Sequence, residues 1–304
     1  MSVKHMIDDM KCNYVILGAS GSIGRMLVGM LESNGCSCVT GVDVGSSWSP
    51  CIVKGDILRP DTRVTSALSN ANVVVSALSN EVLSSAMDVL LKYTSSDCAL
   101  IDTLSIKSSY AEVVSAYRGK IGLREVAGIN PMFSGDLDPA GRPVAVVQYD
   151  GFPYGVTCRR FFDILNRTGA RIVEMDPISH DRSMATLQVL VHAGVMAFGR
   201  ALCDERQDID TLLTLAPPPF RVMLALVARM TCNRPEVYWE IQRDNPFSDE
   251  VRKSLIDSMN CLDGVCKAGD VFSFRDIMES MAQGVVEPRP DLVHLSRRMF
   301  GFLG

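Results

Sequence analysis

Short, almost wholly apolar runs alternate along this chain with longer stretches whose apolar residues recur every three or four positions. Asn13-Tyr14-Val15-Ile16-Leu17 ends at Gly18; Ile23, Leu27, Met30 and Leu31 then mark one face of a helix that stops at Asn34-Gly35. Val39 to Val42, closed by Asp43, and Val73-Val74-Val75, bounded by Asn72 and Ser76, read as the next strands. Further strand runs are Ala99 to Asp102, Leu123 to Ile129, Val144 to Gln148 and Ile172 to Glu174, with helices expected at Glu81 to Lys92 and near Thr157 to Asn166. Strands this apolar do not suit a sheet with one wet face. Alternating with helices, they predict an α/β fold of Rossmann type, a doubly wound parallel sheet covered on both sides.

Beyond about residue 176 the strand-like runs give way to helical ones, so a dinucleotide-binding domain over 10–176 is expected to precede an all-helical domain over 177–304. Met184, Leu187, Val191, Val195, Phe198 and Leu202 mark one helix face, yet Val189, Leu190, Ala193 and Met196 make the other faces apolar too. Such a helix is expected to be buried nearly all round, inside a bundle or a dimer interface. The prolines of Ala216-Pro217-Pro218-Pro219 stop one helix and start the next, Phe220 to Met230. Glu236 to Arg243, Ser248 to Asn260 and Phe274 to Gln283 also read as helices.

The length of 304 residues fits two domains, each able to bury a core unaided. Thirty Lys and Arg against 35 Asp and Glu leave a net charge of -5, which gives no general field for nucleic acid or an anionic membrane. Ten scattered cysteines contain no C-x2-C pair, so reduced thiols rather than a metal site are expected. The first eleven residues lack an apolar leader segment, and nowhere do 18 apolar residues run together. A reducing cytoplasm is the expected location.

Gly18-Ala19-Ser20-Gly21-Ser22-Ile23-Gly24 follows a strand and opens a helix, the context in which backbone N–H groups cradle a pyrophosphate. Ser20 holds the usual middle glycine position, with Gly21 beside it. Asp43, at the end of the second strand, is placed to accept from the ribose hydroxyls of an adenosine and would repel a 2′-phosphate, which favours NAD over NADP. The alternative is a tight turn in another nucleotide-binding or flavodoxin-like protein.

Three further segments make the chain resemble the prephenate/arogenate dehydrogenase family. Asp102-Thr103-Leu104-Ser105-Ile106-Lys107 looks like its D-x-x-S-x-K turn, and Gly128-Ile129-Asn130-Pro131-Met132-Phe133 is similar to its G-x-H-P-M-F-G. Ser179-His180-Asp181-Arg182-Ser183-Met184, running through Gln188 to His192, resembles its E-H-D-x-x-M-x-x-I-Q-x-L-x-H. The resemblance implies a homodimer acting on a small cyclohexadiene carboxylate: NAD⁺ takes a hydride from C4 while C1 loses CO₂, with no metal. It places Ser105 at the C4 substituent and Arg229, in Ala228-Arg229-Met230, on a substrate carboxylate, where a bidentate guanidinium is suited. Gln188 and His192, four apart, would face the same cleft, and Lys107 joins the substrate contacts. Plainer readings stand beside these: His192 as a core histidine, Lys107 as the holder of a turn, His180-Asp181 as a helix cap, and Arg221 as a solvated residue rather than a second anion contact.

One departure bears on the chemistry. The family's histidine in H-P-M-F takes the proton of a C4 hydroxyl; here Asn130 stands in that position and cannot act as a base, although it offers an acceptor and a donor. A neutral C4 amine needs no base at this step, since its lone pair can expel the hydride. This points to 4-amino-4-deoxyprephenate as the substrate. The alternatives are an ordinary prephenate or arogenate dehydrogenase with another base, and a catalytically silent NAD-binding sensor or partner subunit. Ser134 replaces the glycine after Phe133, a second departure in the same loop.

Overall fold

The computed structural model describes residues 12–302; the leader reading of residues 1–11, the expected domain start at residue 10 and the last two residues of the C-terminal tail lie outside them. The chain divides into two compact units, one ending at Asp181 and the other beginning at Arg182. The division was expected at about residue 176. It falls instead within the single helix Pro177–Asp204.

The first unit is built on an eight-stranded sheet of order β3-β2-β1-β4-β5-β6-β7-β8. Its strands are β1 (Tyr14–Leu17), β2 (Val39–Asp43), β3 (Ile52–Lys54), β4 (Val73–Ser76), β5 (Ala99–Asp102), β6 (Val126–Pro131), β7 (Pro143–Gln148) and β8 (Arg171–Met175). Tyr14 and Ile16 of β1 enter one apolar layer with Leu27, Leu31, Phe161 and Ile164, while Val15 and Leu17 enter the opposite layer with Leu83, Met87 and Leu90. Burial on both faces is why the strand runs show no polar alternation.

The expected parallel sheet is corrected at its far edge: β7 runs antiparallel to β6, pairing Asn130 with Ala145 and Pro131 with Val144, and β8, parallel to β7, shares its reversed direction. Only about a dozen residues separate β6 from β7, and no crossover helix fits between them. β3 and the helix Thr62–Ser69 are additional elements, the latter capped by Asp61, which accepts from the amides of Arg63 and Val64.

The second unit is helical: Ile209–Leu215, Pro218–Thr231, Pro235–Asp244, Ser248–Ala268, Val271–Met281 and Asp291–Gly301 follow the long helix. That helix contains a π turn over Ala185–Leu190. The burial nearly all round that the sequence predicts is incomplete within the single chain, where Leu187, Val191 and Met196 are exposed. By length and composition it is apolar enough to cross a membrane, although polar residues such as Thr186, Gln188 and His192 interrupt its apolar run.

Candidate active site

β1 lies between β2 and β4, so the chain leaves the sheet in opposite directions on either side of it, and a crevice opens at the carboxyl ends of β1 and β4. The glycine turn sits there. Gly18 has φ +75°, and a Cβ on it would stand 2.5 Å from the Ala77 carbonyl oxygen. A Cβ on Gly24 would lie 2.2 Å from the Gly18 carbonyl oxygen, so this residue sets how closely the helix Ser22–Ser33 approaches β1. No side chain caps that helix at Gly21, and its first residues, Ser22, Ile23 and Gly24, leave a ring of amide donors for an anion.

Asp43 accepts from Ser20 N at 2.8 Å and Gly45 N at 2.7 Å, which fixes its carboxylate at the rim of the turn. Each oxygen retains a lone pair for a ribose hydroxyl. Trp48 donates from Nε1 to the Ala19 carbonyl at 3.1 Å, with the Arg25 guanidinium over its ring. The loop after β6 closes on the same turn: a Cβ on Gly135 would stand 2.3 Å from the Ser22 carbonyl oxygen. The close approach falls at Gly135, one residue beyond Ser134.

The three segments that carry the family resemblance meet in one buried polar network. Lys107 Nζ forms an ion pair with Asp102 and donates to the Ile129 carbonyl at 2.8 Å; Tyr149 donates to the other Asp102 oxygen at 2.6 Å. The backbone amides of Lys107 and Ser108 each donate to Asp181 at 2.8 Å, joined by the Ser108 hydroxyl. His180 Nδ1 stands 2.7 Å from the same carboxylate, and its Nε2 lies 3.0 Å from the side-chain nitrogen of Asn130. Lys107, expected to touch substrate, is corrected here. Its side chain is completely buried and its ammonium is committed to Asp102 and the β6 backbone.

Burial lowers the pKa of His180, with the Lys107 charge acting in the same direction and Asp181 opposing both. Burial alone would raise the carboxyl of Asp181; the hydrogen bonds from His180, Ser108 and the Lys107 amide outweigh it, and the group is held below its usual value. An ionised Asp181 therefore faces a neutral imidazole. Ser105 lies half-buried on the turn between β5 and the helix Ser108–Ala116, and Asn130 is buried at the end of β6. Among the described residues the buried Ser76 Oγ at the end of β4 has no hydrogen-bond partner.

The remaining expected residues belong to the second unit. Gln188 lies in the π turn and His192 just beyond it, its ring edge-on to Tyr238 at 4.9 Å. Gln188 Oε1 and His192 Nδ1 are buried without partners among the described residues, a rare condition in a finished core that marks a place for water or a ligand group. Burial lowers the pKa of His192. Arg229, near the end of Pro218–Thr231, is exposed and forms no ion pair among the described residues, and Arg221 instead donates to the Leu213 and Ala216 carbonyls. Tyr238 also lines a cavity of about 850 Å³ with Met196, Met230, Asn233, Trp239 and Gln242.

The sequence pattern assigns neither Tyr149 nor Ser76 to the site, and for His180 and Asp181 it also suits a helix cap. Ser-His-Asp before an apolar run reads as a helix start. Only the fold reveals that the ring of His180 reaches a residue fifty positions earlier.

A sheet of this order with a glycine turn at its switch point, followed by a helical unit, defines a two-domain dehydrogenase architecture. A sequence profile described as "Prephenate dehydrogenase, dimerization domain" matches residues 176–280. The chain is 36% identical over 289 residues to 4-amino-4-deoxyprephenate dehydrogenase of Streptomyces pristinaespiralis, covering 94% of this chain and 95% of that protein. It is 29% identical over 228 residues to the T-protein of Enterobacter agglomerans, 75% of this chain but 55% of that longer one. Among solved structures, prephenate dehydrogenase of Aquifex aeolicus, in complex with hydroxyphenyl propionate and NAD⁺, superimposes with a TM-score of 0.70 at 17% identity, covering 91% and 98% of the two chains. The chain belongs to the prephenate dehydrogenase family of oxidoreductases.

Proposed function

We propose that this protein catalyses the NAD⁺-dependent oxidative decarboxylation of 4-amino-4-deoxyprephenate to 4-aminophenylpyruvate. The observation that carries this reading is Asn130: a buried amide, not an ionisable group, at the end of β6, where the family places the residue that faces C4. A hydroxyl at C4 must lose its proton as the hydride departs. An amine need not, because its lone pair forms the iminium and loss of CO₂ from C1 then delivers the aromatic ring.

The glycine turn fits a dinucleotide: two glycines that no larger residue can replace without backbone movement, an uncapped helix terminus, and Asp43 at the end of β2. When bound there, NAD⁺ supplies the hydride acceptor. Ser105 contacts the C4 substituent and Asn130 orients it. Arg229 pairs with a substrate carboxylate, and the unpartnered Gln188 Oε1 and His192 Nδ1 are taken up by substrate or by water beside it. Lys107 acts indirectly, by holding the β5 and β6 turns in register.

The protein acts as a homodimer in the cytoplasm. The dimer is supported by the exposed apolar side chains of the helical unit, and a reducing location by the free thiols, among them the exposed Cys203, Cys232, Cys261 and Cys266.

Formation of reduced cofactor with 4-amino-4-deoxyprephenate and with prephenate, each at saturating NAD⁺, tests the reading. The amine should be the preferred substrate by kcat/KM, and Asn130→His should shift the ratio toward prephenate by about tenfold or more. Wild-type preference for prephenate would refute it.

A further inference from the structure

The amide of Asn130 has a donor end and an acceptor end, and a flip would exchange them. His180 settles which end faces where. The ionised carboxylate of Asp181 offers only acceptors, so His180 Nδ1 carries the ring proton and donates to it at 2.7 Å. The ring is fully buried. Burial, with the Lys107 ammonium, outweighs the opposing pull of Asp181 and Asp102 and leaves it neutral, with a lone pair on Nε2. An acceptor 3.0 Å from the amide nitrogen of Asn130 requires the NH₂ end to face it. Oδ1 then points away from the ring.

We propose that His180 is a positioning residue for the chemistry at C4: the chain Asp181–His180–Asn130 locks the amide so that Oδ1, never the NH₂, is presented to the substrate amine. This rests on the amine reading above. The lock matters because the two ends have opposite effects. Oδ1 accepts an N–H of the amine and leaves the nitrogen lone pair free to align with the C4–H bond that breaks. A flipped amide would donate to that lone pair and withhold the electrons that expel the hydride. An asparagine alone supplies both arrangements; beside a neutral imidazole with its proton fixed on the far nitrogen, it supplies only the productive one.

The test has two arms. In ¹⁵N-histidine-labelled wild-type protein between pH 6 and 8, His180 should show the neutral Nδ1–H form, with Nε2 coupled across the hydrogen bond to the Asn130 side-chain amide; an Nε2–H form would overturn the inference without reference to any substrate. In the kinetic arm, His180→Phe should lower kcat on 4-amino-4-deoxyprephenate by about 10- to 100-fold with KM and the NAD⁺ Kd nearly unchanged. His180→Gln, whose side-chain carbonyl can accept the same N–H, should recover part of the loss. His180→Phe combined with Asn130→Ala should be no worse than the worse single variant. Full additivity would overturn the inference. So would an acidic limb in the wild-type kcat profile that disappears in His180→Phe, since His180 would then be taking a proton itself. Failure of the amine reading shows separately, as wild-type preference for prephenate.

Discussion

A methyl group at residue 128 would stand 2.9 Å from both Asp102 Oδ2 and Lys107 Nζ and 3.0 Å from the Tyr149 hydroxyl. Gly128 therefore leaves the space in which a buried ion pair is built, and its place in the Gly128-Ile129-Asn130-Pro131 segment has a steric cause. Groups so tightly hydrogen-bonded cannot move aside without leaving a buried charge uncompensated. Gly128→Ala should destabilise the protein by about 1–3 kcal/mol, read as a lower urea midpoint at unchanged slope. An unchanged midpoint would mean that the network tolerates displacement. At this scale the sequence showed where Asp102, Lys107 and Asn130 fall but not what they touch. The choice for Lys107 between a substrate contact and the holder of a turn stays open in the sequence, because spacing along a chain carries no record of the carboxylate five residues earlier folding back beneath it.

At the scale of elements, the glycine turn is the part that the sequence described best. Strand, turn, helix and terminal acid occur in the order in which the backbone uses them. Gly24→Ala would force its Cβ against the Gly18 carbonyl and the Ala19 Cα, displacing the helix terminus from β1. NAD⁺ affinity should weaken by about tenfold or more, with Trp48, bonded to Ala19, available as a fluorescent reporter. Retention of wild-type Kd would show that the amides of this turn do not hold the cofactor. Other elements were less legible. A run such as Val144 to Gln148 has the same composition in either direction, so its antiparallel pairing could not be read from hydropathy. β3 has three residues and no pattern to recognise.

For the whole molecule, the helical unit has almost no interior of its own. The residues buried in it are few, whereas Phe272 is 73% exposed, Ile256 59% and Met259 58%. Apolar surface on this scale is characteristic of an interface rather than of an isolated domain. Light scattering should give twice the 33.2 kDa chain mass, and Tm should rise with protein concentration. Ile256→Glu should lower both. A chain mass of 33.2 kDa with a concentration-independent Tm would exclude the homodimer. The all-round apolar character of the long helix was visible in the sequence; what covers it was not, because hydropathy records the need for a partner and not its identity.

The anchoring of Lys107 and Ser108 by Asp181 also bears on how the protein is made. The two amides and the Ser108 hydroxyl belong to the sheet's own turn, yet their acceptor arrives only after β8 and the first turn of the following helix. A nascent chain that has just completed its last strand still lacks the group that satisfies them. The polar centre of the first unit thus closes only when His180 and Asp181 have left the ribosome, and synthesis of the helical unit has then already begun.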